Sequence, residues 1–420
     1  MGAGTAQGGA CLLISGKERK NMEFVVFAGV LLLLFIFMIV QELIQTKNQE
    51  KLFKKYLREN YGKEPPKEYS LERFARLGSY LERHKEEKQL DDITWNDLGM
   101  DEVFRRIDRT YSAAGEEYLY YTLRNISCGR EALEHLEEVV NWLQEQENIK
   151  VRIQLLMKRL GHLGKYSLYD YLDNLDYLGE RSNRKIVLGN LLYLPFLLLL
   201  FVQPAMGTIG IVLCMLWHIM TYFREKKVIE PYIISFAYVL RLIDVCEELE
   251  KQKIPVYRRE LDELREALKS LLELRRGAYW VMAGNQGKIG GNPLDILADY
   301  LRMILHLDIF QFNRMLEKLR KKTGQVETML AITGYLDMAI SVGGFRKSLE
   351  GYCIPKLEED TEKAFLHMKK GWHPLLSQPV KNSIRADRGI LLTGSNASGK
   401  STFLKMVAVN AVLALSLIHI

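Results

Sequence analysis

The stretch Gly394-Ser-Asn-Ala-Ser-Gly399-Lys400-Ser401 constrains this chain more than any other. It fits G-x-x-x-x-G-K-[ST], a glycine-rich loop whose backbone N–H groups close round an anion. Such a loop works between a strand and a helix N-terminus, where aligned peptide dipoles add positive character. Ile390–Thr393 is short and apolar, the pattern of a buried strand, and Thr402–Leu415 is an apolar run of helical length. The motif predicts nucleotide binding through Gly394, Ser395, Asn396, Ala397, Ser398, Gly399, Lys400, Ser401 and Thr402. Lys400 is placed to reach the β- and γ-phosphates of ATP, and the Ser401 hydroxyl to help hold Mg²⁺, so ATP and Mg²⁺ are the cofactors expected. Hydrolysis in such domains also needs an acidic strand end further on. No Asp or Glu follows Ser401, and Leu415–Ile420 reads as a fragment end. The expectation is an ATPase domain cut short, its catalytic residues missing from the chain.

Three apolar runs predict membrane-spanning helices. Phe24–Val40 and Ile186–Val202 each hold seventeen residues without a charge, and Gly207–Phe223 is a third run with His218 inside it. Each is near the lower limit for crossing a bilayer. Gln203–Thr208 forms an uncharged turn between the second and third runs. Arg181, Arg184 and Lys185 flank one end of this pair, and Arg224, Lys226 and Lys227 the other. By the positive-inside rule that is a helical hairpin with both ends in the cytoplasm. The first run is followed by Lys47, Lys51, Lys54 and Lys55, which predicts a cytoplasmic C-terminal side. A multi-pass protein of the cell membrane with cytoplasmic soluble arms is expected. Residues 1–23 read as a doubtful extension, with Met22 the expected start.

The chain of 420 residues is long enough for two or three domains. Its net charge of +6 is mild and does not by itself imply nucleic acid. Cys11, Cys128, Cys214, Cys246 and Cys353 are scattered, which argues against a disulfide framework. The histidines have no ligand spacing, so no protein-bound transition metal is expected. Between the apolar runs the pattern is helical: Glu50–Asn60, Asp101–Ile126, Glu131–Lys158, Pro231–Arg276 with a break near Pro255, and a long lever over Pro293–Ile332 carrying Leu294, Leu297, Leu301 and Leu305.

Several of these segments together resemble the MutS family of mismatch-repair ATPases. Trp95–Leu98, Phe104–Thr110 and Ala113–Arg124 are similar to the start of that family's core domain, with Ala114-Gly115 at its Met-Gly. His135–Leu143 resembles the helix that follows. Ile332–Ala339 resembles the end of the lever, Tyr352–Pro355 its Tyr-Val-Arg-Pro, and Gly371–Leu376 the Gly-Arg-His-Pro that opens the ATPase domain. Thr393–Thr402 is close to Thr-Gly-Pro-Asn-Met-Gly-Gly-Lys-Ser-Thr, with Ser395 and Ser398 in place of Pro and Gly. The likeness covers about Asp92–Leu163 and Asn292–Leu415. It implies an ABC-type ATPase that is a homodimer when complete and acts on double-stranded DNA. It also leaves two roles open for His373: placing the nucleotide, or a plain turn before Pro374.

The family's mismatch reader carries Phe-x-Glu in an N-terminal domain. Here a predicted span stands at that place, and the only such triplet, Phe223-Arg224-Glu225, lies at the end of an apolar run. The expected architecture is a mainly α-helical core and lever with transmembrane helices, followed by the start of an α/β P-loop domain. The boundaries are a transmembrane helix at 24–40, a helical region at 41–185, a hairpin at 186–223, a lever at 224–370 and the ATPase start at 371–420. DNA contact is expected mainly through phosphates. The alternative is a membrane-tethered mechanical ATPase acting on protein or lipid partners without DNA.

Overall fold

The computed structural model describes residues 37–416, apart from 38–39, 42–43, 65–68, 70, 87, 127–128, 164–166, 276–299, 359–363 and 397. The extension 1–23, nearly all of the 24–40 run, Cys11, Cys128, Leu294, Leu297 and Ala397 lie outside the described residues. The chain divides into two units, Met1–Asn60 and Tyr61–Ile420. In the first, residues 44–60 are helical, and the predicted Glu50–Asn60 segment falls within them. Lys54 pairs with Glu50 at 2.6 Å one turn away, an arrangement that supports an exposed helix modestly.

The second unit is mostly helical. Its body is built from α1 (Leu71–Arg83), α2 (Asp92–Leu98), α3 (Met100–Ile107), α4 (Ala113–Arg124), α5 (Arg130–Glu145), α6 (Glu147–Leu160) and α7 (Leu168–Asp173). An apolar hairpin follows, made of α8 (Arg184–Leu191), α9 (Tyr193–Leu199) and the first half of α10 (Pro204–Glu250). Then come α11 (Arg258–Leu271), α12 (Leu307–Arg320), α13 (Thr323–Lys347), strands β1 (Leu366–Gly371) and β2 (Asn382–Ala386), and α14 (Lys400–Leu415).

Several predicted helices divide where local polar chemistry beats periodicity. Asp101–Ile126 is two helices. Between them Asp108 Oδ1 accepts from the amide and hydroxyl of Thr110 at 2.9 and 2.6 Å, and Ser112 Oγ caps α4 by accepting from Gly115 N at 3.1 Å. Glu131–Lys158 breaks at Gln146, which ends α5 and starts α6. The described part of the long lever also breaks, at the left-handed His306 (φ 53°) and between Arg320 and Thr323. Conversely, the boundary at Pro231 is absent. Helix α10 runs through it for 47 residues and stops before the Pro255 turn.

The centre of the body is the crossing of α4 and α13. It is closer than ordinary side chains allow. A Cβ on Gly334 would lie 2.6 Å from the Ala114 carbonyl oxygen, and one on Gly115 would lie 2.4 Å from Asp337 Oδ2. Glycine at both places lets the backbones approach. Asp337, 1% exposed, accepts from Ser112 N at 2.8 Å, Ser112 Oγ at 2.7 Å and Tyr111 N at 3.0 Å. A carboxylate at the start of α4 satisfies its free amides and suits its dipole. Two segments singled out in the sequence, Ala113–Arg124 and Ile332–Ala339, thus meet across more than two hundred positions. Nearby, Glu116 is held by Arg73 and Arg76 at 2.5 and 2.8 Å, and buried Arg346 forks onto Glu137 at 2.5 and 3.0 Å.

Two described helices are long and apolar enough to cross a membrane, Pro204–Glu250 and Thr323–Lys347. They differ in burial. In α13 83% of the most apolar window is inside the body, which marks a core helix; in α10 it is 28%. The hairpin's outer face carries Phe201 (89% exposed), Val202 (77%) and Met220 (68%). Its inner face is knit by small residues, with Gly207 against Leu200 and Gly210 against Phe196. Its base is tied to α12 and to the residues just before it: Asn183 Nδ2 donates to Phe310 O and Asn190 Nδ2 to Leu305 O, each at 3.0 Å. Arg181 pairs with Glu225, so both flanks of the hairpin lie on one side, and Glu225 of the Phe-x-Glu triplet has a structural partner.

Candidate nucleotide site

Strand β1 enters the C-terminal segment and pairs antiparallel with β2, Leu366 opposite Ala386 and Met368 opposite Ile384. The predicted domain start at Gly371 is the last residue of β1. The predicted strand Ile390–Thr393 does not form; the chain there has no regular secondary structure, and Leu391 is 89% exposed. A phosphate-loop strand normally sits inside a parallel sheet covered on both faces. The β1–β2 pair is the one sheet among the described residues, and it offers Ile390–Thr393 no ladder. The described residues therefore show no parallel α/β domain.

The helix half of the motif does form. α14 starts at Lys400 directly after Gly399, which takes the left-handed conformation at φ 82°, a natural place for glycine. Phe403 N donates to Gly399 O at 2.8 Å, the first bond of the helix. Upstream, Ser398 N donates to Ser395 O at 3.3 Å and turns the loop over Asn396. A Cβ on Gly394 would lie 2.8 Å from Ser398 Oγ, so the loop closes tightly on its first glycine. Lys400 Nζ folds back and donates to Gly394 O at 2.7 Å and to Ser395 O. Gly394, Ser395, Asn396, Ser398, Gly399, Lys400, Ser401 and Thr402 thus lie together on one turn, nearly all exposed.

This arrangement fits a phosphate in its donor set: a lysine ammonium inside the loop and a helix N-terminus with no side-chain cap. Lys400 would trade its carbonyl acceptors for phosphate oxygens. Ser401, in the first turn, would face Mg²⁺, which supplies charge neutralisation when bound.

His373 lies in the turn after β1 and is 8% exposed. Its Nδ1 accepts from Leu375 N at 3.3 Å, the geometry of a turn residue. Burial lowers its pKa, and the neighbouring Lys405 of α14 adds to that, so the ring is neutral near pH 7. Asn410 of α14 donates to Trp372 O at 2.9 Å and fastens the helix to this turn. The structure therefore brings His373 to the flank of the loop helix. The same side of α14, between Lys405 and Asn410, buries Met406, Val409, Val412 and Leu413.

Sequence reasoning missed a pairing in the hairpin base. The rings of His218 and His306 lie 5.3 Å apart, 88 positions apart in sequence. Next to them Tyr222 OH donates to Asp308 Oδ2 at 2.8 Å. No spacing rule reaches across so long a connection. Among the described residues no group of three or more His, Cys, Asp or Glu is arranged to hold a metal ion.

No family model matches the chain. Over 119 residues, 26% of this chain, it is 34% identical to Endonuclease MutS2 of Clostridioides difficile (strain 630), covering 14% of that protein. Over 122 residues, again 26% of this chain, it is 30% identical to DNA mismatch repair protein MutS of Leptospira interrogans serogroup Icterohaemorrhagiae serovar Lai (strain 56601), covering 14% of it. It is 28% identical to MutS protein homolog 4 of Homo sapiens over 122 residues, 27% of this chain and 12% of that protein. The chain spans 12–14% of the length of these relatives. It contains a region distantly related to MutS proteins.

Proposed function

We propose that this protein is a membrane-anchored MutS-like ATPase that binds ATP·Mg²⁺ through Gly394–Thr402 and couples nucleotide state to movement of its helical arms. The observation that carries the reading is Lys400, on the first turn of α14, with its ammonium folded into a glycine-bounded loop. The relation to MutS proteins supports ATP and DNA as partners, with DNA held mainly through phosphates, and a homodimeric assembly. The exposed apolar face of the α8–α10 hairpin, with both basic flanks on one side, supports a multi-pass place in the cell membrane with the soluble arms in the cytoplasm.

The test is Mg·ATP binding by the protein. Lys400→Ala removes the main partner of the γ-phosphate and abolishes binding; unchanged affinity overturns the nucleotide assignment. For DNA, affinity falls steeply with salt and matched and mismatched duplexes bind alike. A preference of about ten-fold or more for a mismatch would restore base-specific reading. Absence of salt-sensitive DNA binding at low ionic strength favours the same engine acting on a protein or lipid.

A further inference from the structure

At the C-terminal end of α13, three cations converge round Tyr61 with no carboxylate partner among the described residues. The Tyr61 ring lies on the surface left by Gly343 and Gly344: a Cβ on the first would lie 2.6 Å from Tyr61 Oη, and on the second 3.3 Å from Cε2. Lys150 Nζ sits 3.7 Å above the ring centroid and Lys347 Nζ lies 5.3 Å from it. Arg109 shares the Gly344 surface, its Cδ 2.9 Å from where a Cβ would stand. Arg109 spends its Nε on Lys63 O and its Nη1 on Arg106 O and Ile107 O, while its buried Nη2 has no partner.

The nearby acids are committed elsewhere. Glu64 pairs with Arg106 at 2.6 Å, Glu102 with Arg105 at 2.9 Å and Glu137 with Arg346 at 2.5 Å. Glu147 attracts Lys150 but forms no ion pair with it, and Asp108 and Glu64 act on Arg109 only at longer range. Lys150 is 5% exposed and stands in the first turn of α6, where the helix dipole disfavours a cation. α6 has no side-chain cap, and helical side chains lean towards the N-terminus, so Lys150 reaches back over that open turn. Burial and then the proximity of Lys347 lower the pKa of Lys150. Like charges crowded at an uncapped helix start are stabilised by an anion between them.

We infer that Lys150, Lys347 and Arg109 form an anion site for a phosphate group, separate from the Gly394–Thr402 loop. The aromatic floor of Tyr61 holds the two ammonium groups in place, and Arg109 Nη2 supplies a directed donor. The phosphate can come from a small phosphorylated molecule or from a nucleic-acid backbone.

The experiment uses the full chain in detergent, carrying Lys400→Ala so that the loop lysine does not contribute. Thermal melting is followed in sodium phosphate and in sodium chloride at equal ionic strength. Phosphate raises the melting temperature above chloride. Lys150→Met and Lys347→Ala each raise the phosphate concentration needed by about ten-fold, the size of one lost charge-assisted contact. Because the readout is the phosphate–chloride difference, a change in basal stability does not confuse it, and exposed Lys347 gives a variant that folds. Equal melting in the two salts, or an unchanged difference in both variants, overturns the site. A short DNA duplex then separates the sources. If Lys347→Ala lowers the salt slope of duplex binding by about one, the phosphate belongs to the backbone. If the slope is unchanged while the phosphate effect is lost, it belongs to a small molecule.

Discussion

Asp337 shows how much one buried carboxylate can organise. It supports the start of α4 from the middle of α13, and it does so only because residue 115 has no side chain. Asp337→Ala would strand two amides and a hydroxyl, costing about 3 kcal/mol or more. Gly115→Ala would push a methyl into the same oxygen, and overpacking of this kind costs about 1–3 kcal/mol. Denaturant unfolding of both variants checks this; wild-type stability in either would show that the crossing relaxes freely. The neighbouring Glu117 makes a pH prediction. Burial pushes its carboxyl from 4.5 up to about 8, against the pull of Ser167 and Arg76. A carboxyl whose pKa rises on folding binds its proton more tightly in the folded state. Stability from that proton is full below pH 4.5 and drains away as pH climbs to about 8. Glu117→Gln therefore flattens the fall in melting temperature between pH 5 and 8. An identical pH profile in the variant would mean that Glu117 is not protonated in the fold.

At the scale of elements, the α8–α10 hairpin is the sharpest test of the membrane reading. Its turn at Gln203–Thr208 lies at the far end from the Arg181–Glu225 pair. A cysteine at Thr208 is expected to label with an impermeant reagent in intact cells, and one at Glu180 is not. The reverse pattern overturns the orientation, and extraction by carbonate without detergent removes the spans altogether. The hairpin was legible because apolar runs and basic flanks are local signals. The divisions of the body helices were not. Asp108 and Ser112 turn the chain through local side-chain hydrogen bonds that average out in a periodicity window, Gln146 joins two helices without a side-chain cap, and Pro231 reads as a break although α10 absorbs it. α13 passes the apolar-length test of a span and is instead a core helix, a distinction that depends on what surrounds it.

For the whole molecule, the helical class was legible in the periodicity of the segments between the apolar runs, whereas the meeting of Ala113–Arg124 with Ile332–Ala339 was not, because nothing in either segment names its partner. In the candidate nucleotide site, the helix, glycine turn and lysine followed from the motif, while the strand did not, because a parallel strand is defined by neighbours rather than by its own four residues. The Lys150–Lys347–Tyr61 cluster draws on positions nearly three hundred apart, and its one sequence trace is a lysine in the first turn of a helix.

Helix α10 carries one more consequence. It is about 70 Å of rod at 1.5 Å per residue, and it passes from the exposed apolar half into Ile229–Leu249 of the core without a loop between. A span joined to its domain by a linker relieves bilayer-thickness mismatch by tilting alone. In a bilayer, tilt of α10 would be delivered into the core, save for whatever bend Pro231 permits. Acyl-chain length then becomes a variable acting on the body. Amide exchange at Tyr238 and Val239 is expected to differ between thin and thick bilayers, and more so in Pro231→Ala, where the rod is stiffer. Exchange that ignores lipid length in both proteins would place a joint in the rod after all.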